Sequence, residues 1–118
     1  SSDSQNFKRS VRLLKKVEFQ EVKKSSNKTR SLYFWGQARV LPSTCLPKLG
    51  IITTRRLGPA HERNRARRLV RELFRKNILK IQNGTSLIIL PRKNILDSTY
   101  KTLEAEFIAF LGKLQTLK

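Results

Sequence analysis

A chain of 118 residues with 38% hydrophobic content suffices for one modest core, so a single domain over residues 1–118 is expected. Its 26 Lys and Arg face eight Asp and Glu, and self-repulsion at a net charge of +18 points to a polyanionic partner. One Cys and one His leave no intramolecular disulfide, no Cys/His zinc site and no His-based catalytic pair.

Residues Ser1 to Asn6 are polar and expected to be disordered. Lys8, Arg9, Arg12, Lys15 and Lys16 form a basic approach, interrupted by Val11, Leu13 and Leu14. A short helix is predicted over Val17 to Lys24, with Phe19 and Val22 on one face. Ser25 to Arg30 reads as a polar, basic loop.

From Ser31 the period becomes two. Leu32, Phe34, Gly36, Ala38 and Val40 share one strand face, and Tyr33, Trp35, Gln37 and Arg39 the other. Pro42 and Pro47 bracket a turn that holds Cys45, a small buried or loop thiol of a reducing cytosol. A second strand is expected from about Leu49 to Thr54, antiparallel to the first because the connection is short.

Gly58-Pro59 punctuates the chain, and Pro suits the first turn of a helix. That helix should run from about Ala60 to Leu79, with Ala66, Leu69, Val70, Leu73 and Phe74 as its apolar stripe. Asn83-Gly84 marks a turn. The continuous apolar run Leu87 to Leu90 is that of a strand covered on both faces, ended by Pro91. Asp97 is a fair N-cap for a last helix whose inner face carries Tyr100, Leu103, Phe107, Phe110, Leu111 and Leu114. The order helix, two or three strands, helix, strand, helix predicts an α+β fold, with helices packed on one face of a small sheet.

The basic residues concentrate in Arg63-Asn64-Arg65-Ala66-Arg67-Arg68-Leu69-Val70-Arg71-Glu72-Leu73-Phe74-Arg75. At about 100° per residue, Arg63, Arg67, Arg71 and Arg75 make an i,i+4 row beside the apolar stripe, with Asn64 and Arg68 adjacent. A solvated face stabilised by ion pairs would need acids, and Glu62 and Glu72 are too few. Guanidinium forks meet phosphate oxygens bidentately and stack on bases, so a nucleic acid is the better account. This pattern alone does not separate RNA from DNA. An anionic membrane is disfavoured, since no basic amphipathic helix sets exposed Trp or Phe against a purely cationic face. No run approaches the length of a membrane span, and a cytoplasmic location is expected.

Arg63-Asn64-Arg65, followed by Arg67-Arg68 and Arg71-Glu72, resembles the RNR motif of the bacterial ribonuclease P protein family. Lys48-Leu49-Gly50-Ile51, Arg55-Arg56, Gly58 and Ala60 stand at that family's spacings before its RNR helix. Arg12-Leu13 with Glu18-Phe19-Gln20-Glu21-Val22 is similar to its N-terminal helix, and Leu87 to Leu90 with Arg92-Lys93 to its last strand. The resemblance spans nearly the whole chain in order. It implies a two-layer α/β sandwich like domain 2 of ribosomal protein S5, in the order α-β-β-β-α-β-α, with a left-handed βαβ crossover.

It also implies a division of labour. Arg63, Asn64, Arg65, Arg67, Arg68 and Arg71 would face the ribonuclease P RNA subunit. A cleft between the N-terminal helix and the sheet would hold the single-stranded 5′ leader of precursor tRNA, with Phe19, Lys23, Arg55 and Arg56 beside it. Lys23 stands where the family often has a second aromatic, Ser25 and Ser26 where a glycine is usual, and Gln37 where relatives are often aromatic. Leader binding here would therefore lean on charge more than on stacking. Phe19 remains open between groove and core, and Tyr33 and Trp35 between core and RNA platform.

No two of the eight acids fall together as ligands for a two-metal nuclease. The resemblance places cleavage with Mg²⁺ held mainly by the RNA subunit, this chain acting by position and charge. Glu18 and Glu21 read as a solvated pair on one helix face. The alternatives are a ribosomal or other structural RNA-binding protein, a DNA-binding module and an autonomous nuclease. The ordered RNR set with Phe19 upstream disfavours the first, the flanking strands the second, and the scarcity of catalytic side chains the third.

Overall fold

A computed structural model describes residues 12–118 except 26 and 43, with the backbone alone at residue 12. The segment Ser1 to Asn6 and the basic residues Lys8 and Arg9 lie outside the described residues. In chain order the elements are β1 (Arg12–Leu13), α1 (Lys16–Lys23), β2 (Lys28–Arg30), β3 (Phe34–Val40), β4 (Lys48–Ile51), α2 (Ala60–Asn77), β5 (Thr85–Pro91) and α3 (Tyr100–Lys113). Short 3₁₀ turns lie at Arg55–Leu57, Ile78–Lys80 and Lys93–Asp97.

The five strands are ordered β1-β4-β5-β3-β2. β5 pairs antiparallel with β3 and parallel with β4, which is joined to it through α2. β3 and β4 are therefore not neighbours, contrary to the expectation from their short connection. β5 takes the place between them because Leu87, Ile88 and Ile89 are all buried and need cover on both faces. The β3–β4 connection instead wraps the end of β5: the Leu41 N–H donates to the Gly84 carbonyl at 3.1 Å, and the Gly84 N–H to that of Cys45 at 2.9 Å. Cys45 is exposed in this loop.

β2 corrects a second expectation. Lys28–Arg30 pairs antiparallel with β3 in the register Lys28↔Gln37 and Arg30↔Trp35. A three-residue edge strand needs no apolar period, and its cations discourage pairing with another chain. Arg12–Leu13 likewise adds a parallel edge beside β4.

The two long helices share one face. There Phe34, Ala38, Leu49, Leu87 and Ile89 meet the stripe of α2 (Ala66, Val70, Leu73 and Phe74) and Leu103, Phe107, Phe110 and Leu111 of α3. The Phe34 ring stands 5.8 Å from Phe107 at 72°, edge to face, and 5.6 Å from Phe110 at a tilted 54°, an aromatic cluster in the core. Both predicted helical stripes hold, Leu69 and Tyr100 being partly buried against the same core.

Helix ends differ in detail. Pro59 is the residue before α2, and its carbonyl accepts from the Glu62 and Arg63 N–H groups at 3.0 and 3.1 Å. α2 stops at buried Asn77, whose amide donates to the Leu73 carbonyl at 2.8 Å. Asp97 does not cap α3. It ends a 3₁₀ turn, which moves the cap to Thr99, whose hydroxyl accepts the Thr102 N–H at 3.2 Å.

α1 lies on the opposite face of the sheet from α2 and α3. Leu14, Val22 and Ile88 form a small separate cluster there, with Phe19 and Ile52 against it. Gly50 permits this approach: a Cβ would stand 2.5 Å from the Phe19 ring and 3.0 Å from Leu14. Glu18 and Glu21, read as solvated, pin the helix to the sheet. Lys48 Nζ lies 2.6 Å from Glu18 Oε2, and Arg39 Nη1 lies 3.3 Å from Glu21 Oε2. The Gln37 amide donates to the Lys23 carbonyl at 3.4 Å and to that of Ser25 at 3.1 Å, so it fixes the end of α1.

Candidate RNA interface

α2 buries one stripe and turns a cationic ridge to solvent. Arg65, Arg68 and Arg71 are exposed, and Arg63 and Arg67 half-buried. None of the five has an acidic partner among the described residues. Arg67 Nη1 donates to the exposed Asn64 Oδ1 at 2.8 Å, which orients one guanidinium along the helix. Arg75, fourth in the predicted row, stands apart: it hydrogen-bonds Glu72 at 2.5 Å, with Lys76 3.9 Å from the same carboxylate. The Arg75 hydrogen bond holds the Glu72 carboxyl below its ordinary range. The unneutralised part of the ridge is therefore Arg63 to Arg71. Gly58, at φ 143°, sets the entry of α2; a Cβ there would collide with the Glu62 carboxylate.

The opposite sheet face, left uncovered beyond α1, forms a groove in three adjoining hollows. Lys16, Phe19, Gln20, Lys23 and Ile52 line one of about 550 Å³. Ile52 is shared with the next, about 470 Å³, whose floor is Ile88, Leu90 and Gly36 and whose wall carries Lys28, Arg30, Trp35 and Gln37. Trp35 and Leu90 are shared with a third, about 390 Å³, bounded by Arg56, Arg92 and Lys93. An apolar floor under a cationic rim is what an unpaired strand needs, bases below and phosphates at the edge.

The two surfaces meet at Phe19. A smaller hollow of about 260 Å³ is lined by Phe19, Leu14 and Gly50 together with Arg67 and Arg71 of the ridge. Phe19 is half-buried: one side rests on Gly50 and the rest faces these hollows, so it serves core and groove together. Lys23 and Arg56 line the groove, whereas Arg55, on the turn before α2, is exposed and lines none of these four hollows.

Residues 7–115 match the family model described as Ribonuclease P. The chain belongs to the ribonuclease P protein family. The ribonuclease P protein component of Desulforapulum autotrophicum is 32% identical over 111 residues, covering 94% of this chain and 91% of the relative. That of Finegoldia magna is 37% identical over 71 residues, covering 60% of this chain and 63% of the relative. The ribonuclease P protein of Thermotoga maritima superposes with a TM-score of 0.74 at 28% identity, over 85% of this chain and 94% of that one. Arg63-Asn64-Arg65, with Arg67, Arg68 and Arg71, lies on the ridge of α2.

Several groove residues of this family member were not singled out by the sequence. Lys28 and Arg30 lay in the presumed loop, although their i,i+2 spacing already puts them on one strand face. Trp35, whose sequence position fits either core or platform, is 41% exposed and lines the groove wall. Tyr33 goes to the core side, edge-on to Phe34 at 6.4 Å. Among the described residues no helix is long and apolar enough to cross a membrane.

Proposed function

We propose that this protein component of ribonuclease P works through two surfaces, the α2 ridge on the RNA subunit and the sheet groove on the 5′ leader of precursor tRNA. The observation that carries this reading is the junction at Phe19. Arg67 and Arg71 reach the hollow that Phe19 shares with the groove, so a leader in the groove would lie beside the RNA subunit gripped by the ridge. Arg63, Asn64, Arg65, Arg67, Arg68 and Arg71 supply phosphate contacts. Phe19, Lys23 and Arg56 line the leader path, and Arg55 adds charge at its margin.

Cleavage is assigned to Mg²⁺ held mainly by the RNA subunit. What supports this is that three of this chain's carboxylates are already held in ion pairs. Glu18 pairs with Lys48, Glu21 with Arg39 and Glu72 with Arg75, and no three of His, Cys, Asp and Glu gather as ligands among the described residues. The protein's part is to raise substrate affinity and to screen the RNA so that less Mg²⁺ is needed. A cytoplasmic site of action follows from that partnership.

Cleavage of precursor tRNA by a bacterial ribonuclease P RNA at low Mg²⁺, with and without the protein, tests the reading. Stimulation that Arg65→Ala and Arg68→Ala weaken is expected. RNA binding with a steep salt dependence but no stimulation would instead indicate a structural RNA-binding protein.

A further inference from the structure

The register of the sheet arranges the groove in two cross-strand rows. One row runs Lys28, Gln37, Ile88, Gly50, with the Phe19 ring on Gly50. The next runs Arg30, Trp35, Leu90. From the Gly50 position to Trp35 is two residues along the strands and two strands across, about 12 Å. The groove therefore carries two aromatic rings, one beside α1 and one where the second and third hollows join.

Trp35 is more than a filler of that wall. The residue is 41% exposed, and it borders both the 470 Å³ and the 390 Å³ hollows. The Arg30 guanidinium lies 5.5 Å from the ring centroid and that of Arg92 lies 5.8 Å away. Neither arginine has an acidic partner among the described residues. Two cations drawn to one ring repel each other. Cation–π attraction at an exposed site is modest, so the arrangement lacks an anion. A nucleotide supplies what is missing, with a base for the indole face and a phosphate between the guanidinium groups.

We propose that Trp35, with Arg30 and Arg92, is a second stacking station for an unpaired nucleotide of the precursor-tRNA leader, distinct from the Phe19 station. This rests on the leader-binding reading above and adds to it a specificity-determining residue. The leader then spans the groove from α1 to the β2–β3–β5 rim, and leader length beyond the Phe19 station contributes to affinity.

Trp35 is the only tryptophan, so its fluorescence reports on its own ring. The test uses the holoenzyme assembled on a bacterial ribonuclease P RNA. Precursor tRNAs are made with a single abasic nucleotide walked along the leader, and their affinities are measured with wild type, Trp35→Ala, Trp35→Phe and Phe19→Ala. In wild type, one leader position should lose affinity when its base is removed because that base stacks on Trp35. Trp35→Ala should bind the intact leader about fivefold or more weakly and become indifferent to the base at that position. Trp35→Phe should retain most of the affinity, and Phe19→Ala should act at a different position. Precursor, but not mature tRNA, should quench the tryptophan emission. The inference is overturned, with the leader reading intact, if Trp35→Ala keeps the wild-type affinity and abasic profile. Quenching by the RNA subunit alone, with none on adding precursor, also overturns it. Equal wild-type affinity for precursor and mature tRNA with a flat abasic profile overturns the leader reading itself.

Discussion

Arg65 and Arg68 are exposed on α2 and have no acidic partner among the described residues, so their removal isolates the ridge's electrostatic role. Each guanidinium on a duplex phosphate contributes about 0.9 to the slope of log affinity against log salt. The double variant Arg65→Ala/Arg68→Ala should therefore flatten the slope for RNA-subunit binding by about 1.8. Over a rise from about 50 to about 200 mM salt, wild type should lose about 12-fold more affinity than the variant does. Arg75→Ala is the internal comparison. Arg75 is bonded to Glu72, which it shares with Lys76, so its charge is partly offset and its loss should change the slope less than the loss of an unpaired arginine. Filter binding or anisotropy over a salt series measures all three proteins. Thermal melts should show the double variant unchanged or slightly more stable, since like charges close together on one helix repel. An unchanged slope in the double variant, or an equal drop with Arg75→Ala, would refute the assignment of the ridge.

Three further outcomes follow from packing and titration. Gly50→Val forces a side chain into the Phe19 ring, 2.5 Å from its Cβ position, so denaturant melts should show a loss of about 1–3 kcal/mol and precursor affinity should fall as α1 is displaced. Phe107→Ala removes one of the two buried rings packed on Phe34 and should cost about 3–5 kcal/mol in the same assay. Glu18 is held below its ordinary range of 4.5, first by the Lys48 hydrogen bond and then by the Lys15 N–H. A carboxyl lowered by folding stabilises above its unfolded value and loses that contribution as pH falls through the folded value. The stability difference between wild type and Glu18→Gln, followed by urea melts, should be present at neutral pH and vanish in acid below 4.5. A difference that persists at the lowest pH would show that the Lys48 pair is not its source.

The long helices were legible because α2 and α3 carry apolar stripes over many turns, and a period that long fixes the buried face. β5 was legible as a central strand because its apolar run is continuous, and Leu87, Ile88 and Ile89 are buried, whereas Leu90 is only half-buried and lines the groove. Strand adjacency was not. The short link from β3 to β4 suggested a hairpin, but the order depends on which strand most needs the centre, a comparison across the whole sheet. Lys28–Arg30 escaped because an edge strand of three polar residues has no period to read. α1 was expected among the other helices, and the clue to its separate face was Gly50, whose missing Cβ admits Phe19. Arg63 to Arg71 were legible as a ridge because helical spacing alone places them. The groove's Arg30, Trp35 and Arg92 come from β2, β3 and the residue after β5, and only the sheet register brings them together. Glu18 and Glu21 looked solvated because Lys48 and Arg39 lie far along the chain.

If ridge and groove serve different RNAs, paired affinities from one set of variants will separate the two surfaces. Affinity for the RNA subunit, and the holoenzyme's preference for precursor over mature tRNA, would be measured for Arg65→Ala/Arg68→Ala and for Phe19→Ala/Lys23→Ala. The ridge variant should weaken RNA-subunit binding and leave the precursor preference of the assembled enzyme intact. The groove variant should do the reverse. If each variant moved both quantities by the same factor, the two surfaces would be one, and the division of labour would be wrong.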